Sequence, residues 1–188
     1  MQYPNNIKKN FIKHEIKSHS NRGMNLETEI NETNQYYLNN DIALIYKKPT
    51  PIGVVDVSYK NNKKIIEKAY FKEQSTLDYN GLYKGRYVDF DAKECRSKTA
   101  FPLSNIHEHQ TKHIRNVIRH GGIAFLIIRM NNIHYLLTGE DYLYYIDNEN
   151  RKSIAYSYIE EKGYIIQEKY LPSLVYLSVI DEIYFKGE

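Results

Sequence analysis

The sequence predicts a mixed α/β domain, with a central β-sheet flanked by helices, from the order of its hydrophobic patterns. A helix-spaced apolar stripe is followed by several short strand-like runs, a second helical stripe begins after Pro102, and further strand-like runs come after it. Helices placed before and between strands in this way cover a sheet. The 188 residues suffice for one domain of ordinary size. A content of 41% hydrophobic and 26% charged residues excludes a disordered or fibrous chain.

Residues 1–22 are polar and aperiodic and read as a flexible basic arm ahead of a domain spanning 23–188. Leu26, Ile30 and Tyr37 then recur at helical spacing in an acidic segment containing Glu27, Glu29 and Glu32. The run IALIYKK, Ile42 to Lys48, reads as a strand, ended by Pro49 and Pro51, which cannot donate to a ladder. VVDVSY and IIEKAYF on either side of KNNKK predict a hairpin at about 49–71 whose turn carries Lys60, Lys63 and Lys64. Coming after two prolines, it is expected to project as a stalk. EQSTLDYNGLYKG reads as a connection with its turn at Asn80-Gly81, which delivers Asp78 close to the next strand.

That strand lies in GRYVDFDAKECR, where Val88, Phe90 and Ala92 alternate with Asp89, Asp91 and Lys93, so a pleat puts the charged three on one face. Ser104 can cap a helix running to His120 and stopped by Gly121-Gly122. Its stripe, Ile106, Gln110, Ile114 and Val117, turns one amide inward, where a partner is required. Ile123 to Met130 and Ile133 to Thr138 predict a tight hairpin about Asn131-Asn132. From Glu140 onward the chain mixes aromatic and acidic residues and closes with LVYLSVIDEIYF.

Charge is unevenly spread. Residues 1–138 carry 21 Lys+Arg against 13 Asp+Glu, and residues 139–188 carry 5 against 10. The dense runs, Lys8 to Arg22 and Lys47 to Lys72, suit either a polyanion or a solvated basic face. Nineteen tyrosines and no tryptophan fit strands and wet binding surfaces. Cys95 is alone and forms no internal disulfide, the first residues lack the apolar core of a secretory signal, and a cytoplasmic location is expected. GGIAFLIIRM is far shorter than the ~18 apolar residues that a membrane span needs.

The signature acid-x-lysine occurs three times, at Glu15-Ile16-Lys17, Asp91-Ala92-Lys93 and Glu160-Glu161-Lys162. The middle one stands out because it lies in an alternating strand, with Asp78 thirteen positions upstream. Two carboxylates converging on one place repel unless a cation lies between them, and a hard divalent ion accepts oxygen ligands while keeping waters. Lys93 beside it would supply a compact positive charge for a phosphate transition state. Spacing alone equally admits a charged strand face that meets water. His107, His109 and His113 invite a zinc site, but no cysteine or further histidine cluster completes four ligands, and surface or phosphate contacts are preferred. No nucleophilic triad, phosphate-binding loop or dinucleotide fingerprint is present.

Read together, SNRGM, NETNQYYL, KKPTP, AYFKEQSTLDYNGLYKGRYVDFDAKE and FPLSNIHEHQ resemble, in order and over nearly the whole chain, the RecU family of bacterial Holliday-junction resolvases. The resemblance implies the restriction-endonuclease-like fold of the PD-(D/E)xK nuclease superfamily. It further implies a homodimer in the bacterial cytoplasm that cuts four-way DNA junctions by symmetric paired nicks, in recombination, DNA repair and chromosome segregation. Mg2+ is the implied cofactor, with Mn2+ as a substitute, and a RecA-type recombinase is a candidate partner. By position, Asp78 and Asp91 match the family's metal-binding acids, Lys93 its catalytic lysine and Gln110 a metal-site glutamine. Arg22, Lys47, Lys48, Lys60, Lys63, Lys64 and Phe71 are the candidate DNA contacts, the last four on the stalk. Two departures stand out: Asp91 replaces the family's usual glutamate, one methylene longer, and Leu77 replaces a metal-site threonine, leaving Thr76, a backbone carbonyl or water to serve. Two other readings share this core, a junction-binding module that does not cut and a duplex endonuclease with a recognition sequence.

Overall fold

The computed structural model describes residues 25–72 and 76–187, so the expected N-terminal arm, with Arg22, lies outside the described residues. Asn25 caps the first helix, α1 (Leu26–Asn39), its side-chain oxygen accepting the Thr28 N–H at 2.8 Å. Leu26, Ile30 and Tyr37, whose spacing predicts the helix, are the residues it buries against the sheet. The strand β1 (Leu44–Lys47) follows, then β2 (Ile52–Lys60), β3 (Lys63–Phe71), β4 (Tyr79–Tyr83), β5 (Arg86–Glu94) and β6 (Ala100–Pro102). Next come α2 (Glu108–Arg119), β7 (Ile123–Met130), β8 (Ile133–Thr138), α3 (Gly139–Asn148), β9 (Ser153–Ala155), α4 (Tyr156–Lys162), β10 (Tyr164–Ile165) and α5 (Tyr176–Tyr184).

Six strands form the central sheet in the order β1-β4-β5-β7-β8-β10. Among the described residues β5 and β7 make its one parallel pair, and the crossover between them contains β6 and α2. One face carries Val88, Phe90, Phe125 and Ile127 and packs on α1 and α5 through Ile30, Tyr176 and Ile180. The cross-strand row Tyr79, Phe90 and Phe125 stacks at centroid spacings of 4.8 and 4.6 Å. The other face carries Ala124, Leu126 and Ile128 against Ile114 and Val117 of α2, Tyr142 of α3 and Ile159 of α4. The fold is therefore the expected mixed α/β sheet flanked by helices.

β2 and β3 pair only with each other, and every residue of β3 is exposed. Their turn is Asn61-Asn62, both at positive φ (50° and 57°), the geometry that matches strand twist in a two-residue hairpin. Asn131-Asn132 repeats it between β7 and β8 at 52° and 60°. The protruding hairpin is thus present where the alternating pattern places it.

Two local expectations are corrected. Asn80-Gly81 is not a turn but the middle of β4, and the turn to β5 is Lys84-Gly85, at φ 44° and 75°. Gly81 is there for close approach: a Cβ at this position would lie 1.9 Å from the Leu44 carbonyl oxygen of the neighbouring strand. The second helix starts at Glu108 with His107 as N-cap, and Ser104 lies instead in a short 3-10 turn, Leu103–Asn105.

Gly81→Ala is expected to destabilise the domain by about 1–3 kcal/mol or more, because β1 must move off β4 to admit the methyl group. A lower urea midpoint with an unchanged slope checks this.

Candidate active site

β5 positions the two aspartates. Its alternation sends Val88 and Phe90 into the core under α1 and α5, so Asp89 and Asp91 face the α2 side, and both are fully buried. Each carboxylate has its own lysine. Lys93 Nζ lies 2.9 Å from Asp91 Oδ2, and Lys48 Nζ lies 2.8 Å from Asp89 Oδ2. The charged face of the strand therefore does not meet water; it is closed over by other elements.

Asp91 is gripped from three directions. Its Oδ1 accepts the Ala92 N–H at 2.8 Å, and its Oδ2 accepts Gln110 Nε2 at 2.5 Å as well as Lys93. Gln110 is the inward-facing amide of α2, and its orientation follows from its two partners. While Nε2 donates to Asp91, Oε1 accepts the His107 N–H at 3.0 Å, satisfying one of the free donors at the helix start. Asp78 comes from the segment before β4, and its carboxyl lies near enough to Asp91 to raise the Asp91 pKa. Lys93 and Gln110 thus meet Asp91, with Asp78 nearby.

Burial pushes the Asp91 carboxyl up to about 6, the charge of Lys93 opposes the shift, and the nearby Asp78 carboxyl adds to it. A buried carboxyl raised by desolvation and by a neighbouring acid is short of positive charge. Among the described residues no three His, Cys, Asp or Glu side chains cluster as a metal site. The donor set is two carboxylates and an amide, which fits a hard cation that retains waters better than a zinc-type site. Leu77 is buried in the core beneath α2 and offers only its carbonyl, which already accepts the Thr76 hydroxyl at 3.3 Å.

The remaining predicted residues are dispersed. Lys60, Lys63 and Lys64 flank the hairpin turn, and Lys60 pairs with Glu67 at 3.3 Å. Phe71, 80% exposed, pairs with Ile52 at the opposite end of the hairpin, about 25 Å along the strand from the tip. Lys47 pairs with Glu27 at 2.5 Å. The histidines do not assemble a zinc site: His107 and His109 stack at 5.4 Å, while His113 Nε2 lies 2.8 Å from Asp89 Oδ2. That contact belongs to a buried cluster around Asp89, completed by Lys48 and by the Tyr87 hydroxyl at 2.6 Å, which the sequence reading leaves out. Its one sequence signal is that Asp89 shares a strand face with Asp91.

A mixed sheet with one parallel strand pair, an acid-x-lysine strand facing a crossover helix and a second aspartate converging on it define a restriction-endonuclease-like fold. The chain matches the family described as Recombination protein U (RecU) over residues 21–182, and it belongs to that family. It is 49% identical to the Holliday junction resolvase RecU of Bacillus subtilis (strain 168), over 89% of this chain and 84% of that protein. It is 46% identical to the Holliday junction resolvase RecU of Bacillus cereus (strain G9842), over 98% of both chains. The protein of the same description from Geobacillus sp. (strain WCH70) is 46% identical over 89% of this chain and 87% of its own length.

The raised Asp91 pKa has a stability consequence. Because the folded value exceeds the ordinary carboxylate value, the neutral form favours the metal-free fold below about pH 4, and this contribution is lost as pH rises through about 6. Asp91→Asn, neutral at every pH, is therefore expected to be more stable than the unaltered protein at pH 7.5 in chelator, by roughly 1–3 kcal/mol. The advantage should vanish toward pH 4.5. Denaturation curves at the two pH values measure it, and a pH-independent difference would contradict the shift.

Proposed function

We propose that this protein is a structure-specific endonuclease that resolves Holliday junctions by divalent-metal-dependent phosphodiester hydrolysis, with Mg2+ as the ion and Mn2+ as its substitute. One observation supports the reading: Lys93 and Gln110 contact Asp91, with Asp78 close enough to raise its pKa, in a chain whose relatives are Holliday junction resolvases. Asp78 and Asp91 would hold the cation, with the Gln110 amide beside them. When bound, such an ion lowers the pKa of a coordinated water and polarises the scissile phosphate. A cation held there would neutralise the two carboxylates, and Lys93 would meet charge developing on the phosphate.

Substrate binding would be mainly electrostatic, through residues 1–22 as a basic arm and Lys47, with Lys60, Lys63, Lys64 and Phe71 presented by the hairpin to the junction. Recognition is by shape rather than base readout. Paired symmetric nicks in a two-fold junction call for two sites related by a two-fold axis, so we propose a homodimer. Recombination, DNA repair and chromosome segregation in the bacterial cytoplasm, with a RecA-type recombinase as partner, complete the proposal. No helix among the described residues is long and apolar enough to cross a membrane.

Asp78→Ala or Asp91→Ala is expected to abolish cleavage of a labelled four-way junction in Mg2+ while leaving its binding in chelator unchanged. Lys93→Ala should lower the single-turnover rate by about 10²–10³-fold. Undiminished cutting by either aspartate variant would refute the site. Binding with no cutting by the unaltered protein would favour the junction-binding module, and cutting of linear duplex at one sequence the restriction-type enzyme.

Replacing Lys60, Lys63 and Lys64 together by alanine is expected to weaken junction binding and lower the slope of log affinity against log salt by roughly 2–3. An unchanged slope would show that the hairpin tip does not meet phosphates.

A further inference from the structure

Lys48 reads in the sequence as one more basic residue for DNA, yet its ammonium points inward. The side chain is 19% exposed, and Nζ lies 2.8 and 3.1 Å from the two oxygens of Asp89, which has no exposed surface. Its backbone N–H continues the β1–β4 ladder one step past the Lys47–Tyr79 pair, donating to the Asp78 carbonyl at 2.8 Å. One residue thus holds the Asp78 backbone with its own backbone and the middle of β5 with its side chain.

Asp89 ties in the third element of the site as well. Its Oδ2 contacts His113 Nε2 at 2.8 Å, and His113 lies one turn beyond Gln110 on the same face of α2. The Tyr87 hydroxyl, 2.6 Å from Oδ2, closes the cluster. The three elements that supply the proposed metal-site groups, the segment of Asp78, the strand of Asp91 and the helix of Gln110, therefore share a single buried anchor two residues before Asp91 on β5.

We propose that Lys48 is a positioning residue for the metal site and not a DNA contact: through Asp89 it sets the distance between Asp78 and Asp91, and His113 does the same for Gln110. The inference rests on the metal-site reading above. With Asp89 buried and Lys48 half-buried against it, moving the Lys48 ammonium to a phosphate would leave the Asp89 charge uncompensated. Groups that orient ligands from behind typically set metal affinity by ten- to a hundredfold, and here the anchor acts on ligands from three separate elements.

The test compares the unaltered protein with Lys48→Met, Lys48→Arg and His113→Leu, reading Mn2+ binding to the protein alone by calorimetry and junction binding in chelator by anisotropy. Single-turnover cleavage against Mg2+ concentration is the third measurement. Lys48→Met and His113→Leu are expected to weaken Mn2+ binding by at least about tenfold and raise the half-saturating Mg2+ in proportion. Junction affinity and its salt slope should stay within about twofold, and Lys48→Arg should recover part of the metal affinity. Should Lys48→Met fail to fold, the double variant Lys48→Met/Asp89→Asn removes both charges together and is expected to show the same loss. Weakened junction binding with unchanged Mn2+ affinity overturns the proposal and returns Lys48 to the DNA surface. If the unaltered protein does not cut junctions but its Mn2+ affinity depends on Lys48, the endonuclease reading fails and the positioning role stands. Absence of Mn2+ binding by the unaltered protein overturns both.

Discussion

Two carboxylates buried on one face of a single strand are the constraint around which this domain is arranged. Asp89 and Asp91 have no exposed surface, and an isolated buried carboxylate costs several kcal/mol of desolvation. The fold meets this by bringing a lysine to each from a different direction, Lys93 from the same strand and Lys48 from the end of β1. The two solutions differ in kind. Asp89 has four polar contacts from three side chains, whereas Asp91 is left with an elevated pKa and a second acid beside it. The first is neutralised by its partners, whereas burial and Asp78 hold the second above its ordinary range.

This asymmetry explains why neighbouring residues of identical type do different work. A carboxylate held by four polar contacts acts as an anchor, since moving it breaks several charged hydrogen bonds at once. A carboxyl whose pKa is raised by burial and a second acid is one whose charged form a nearby positive charge would favour. The Gln110 amide is engaged at both ends, by a helix N-terminus and by Asp91, so the metal-free site is orderly without being electrostatically complete.

The surrounding architecture supplies the stiffness this needs. The stacked row Tyr79, Phe90 and Phe125 lies under the site and joins β4, which Asp78 precedes, to β5, which carries Asp91. Gly81 lets β1 approach β4 closely enough for Lys48 to reach both. The exposed hairpin β2–β3 contributes nothing to this core. Its β-branched and aromatic residues, among them Val54, Val55, Ile66 and Phe71, remain at the surface. Exposed apolar side chains in such number form an apolar patch on the domain surface.

Much of the fold follows from local patterns. Helical spacing identifies α1, the alternation in VDFDAK identifies which side chains of β5 share a face, and paired asparagines mark two hairpins. Each of these is legible because backbone geometry and side-chain period act over a few residues. The family resemblance adds Asp78 and Gln110 by position; Gln110 hydrogen-bonds Asp91, and Asp78 raises its pKa. The sequence misplaces the turn at Asn80-Gly81, because a glycine needed for approach between strands looks the same as one needed for a bend. It also leaves the short elements after Glu140 unresolved. What it cannot contain at all is the partner of each charge. Lys48 and Asp89 are 41 positions apart and His113 and Asp89 are 24 apart, and only the closing of the sheet under α2 decides that they meet, since desolvation is a property of the packed interior and not of any stretch of chain.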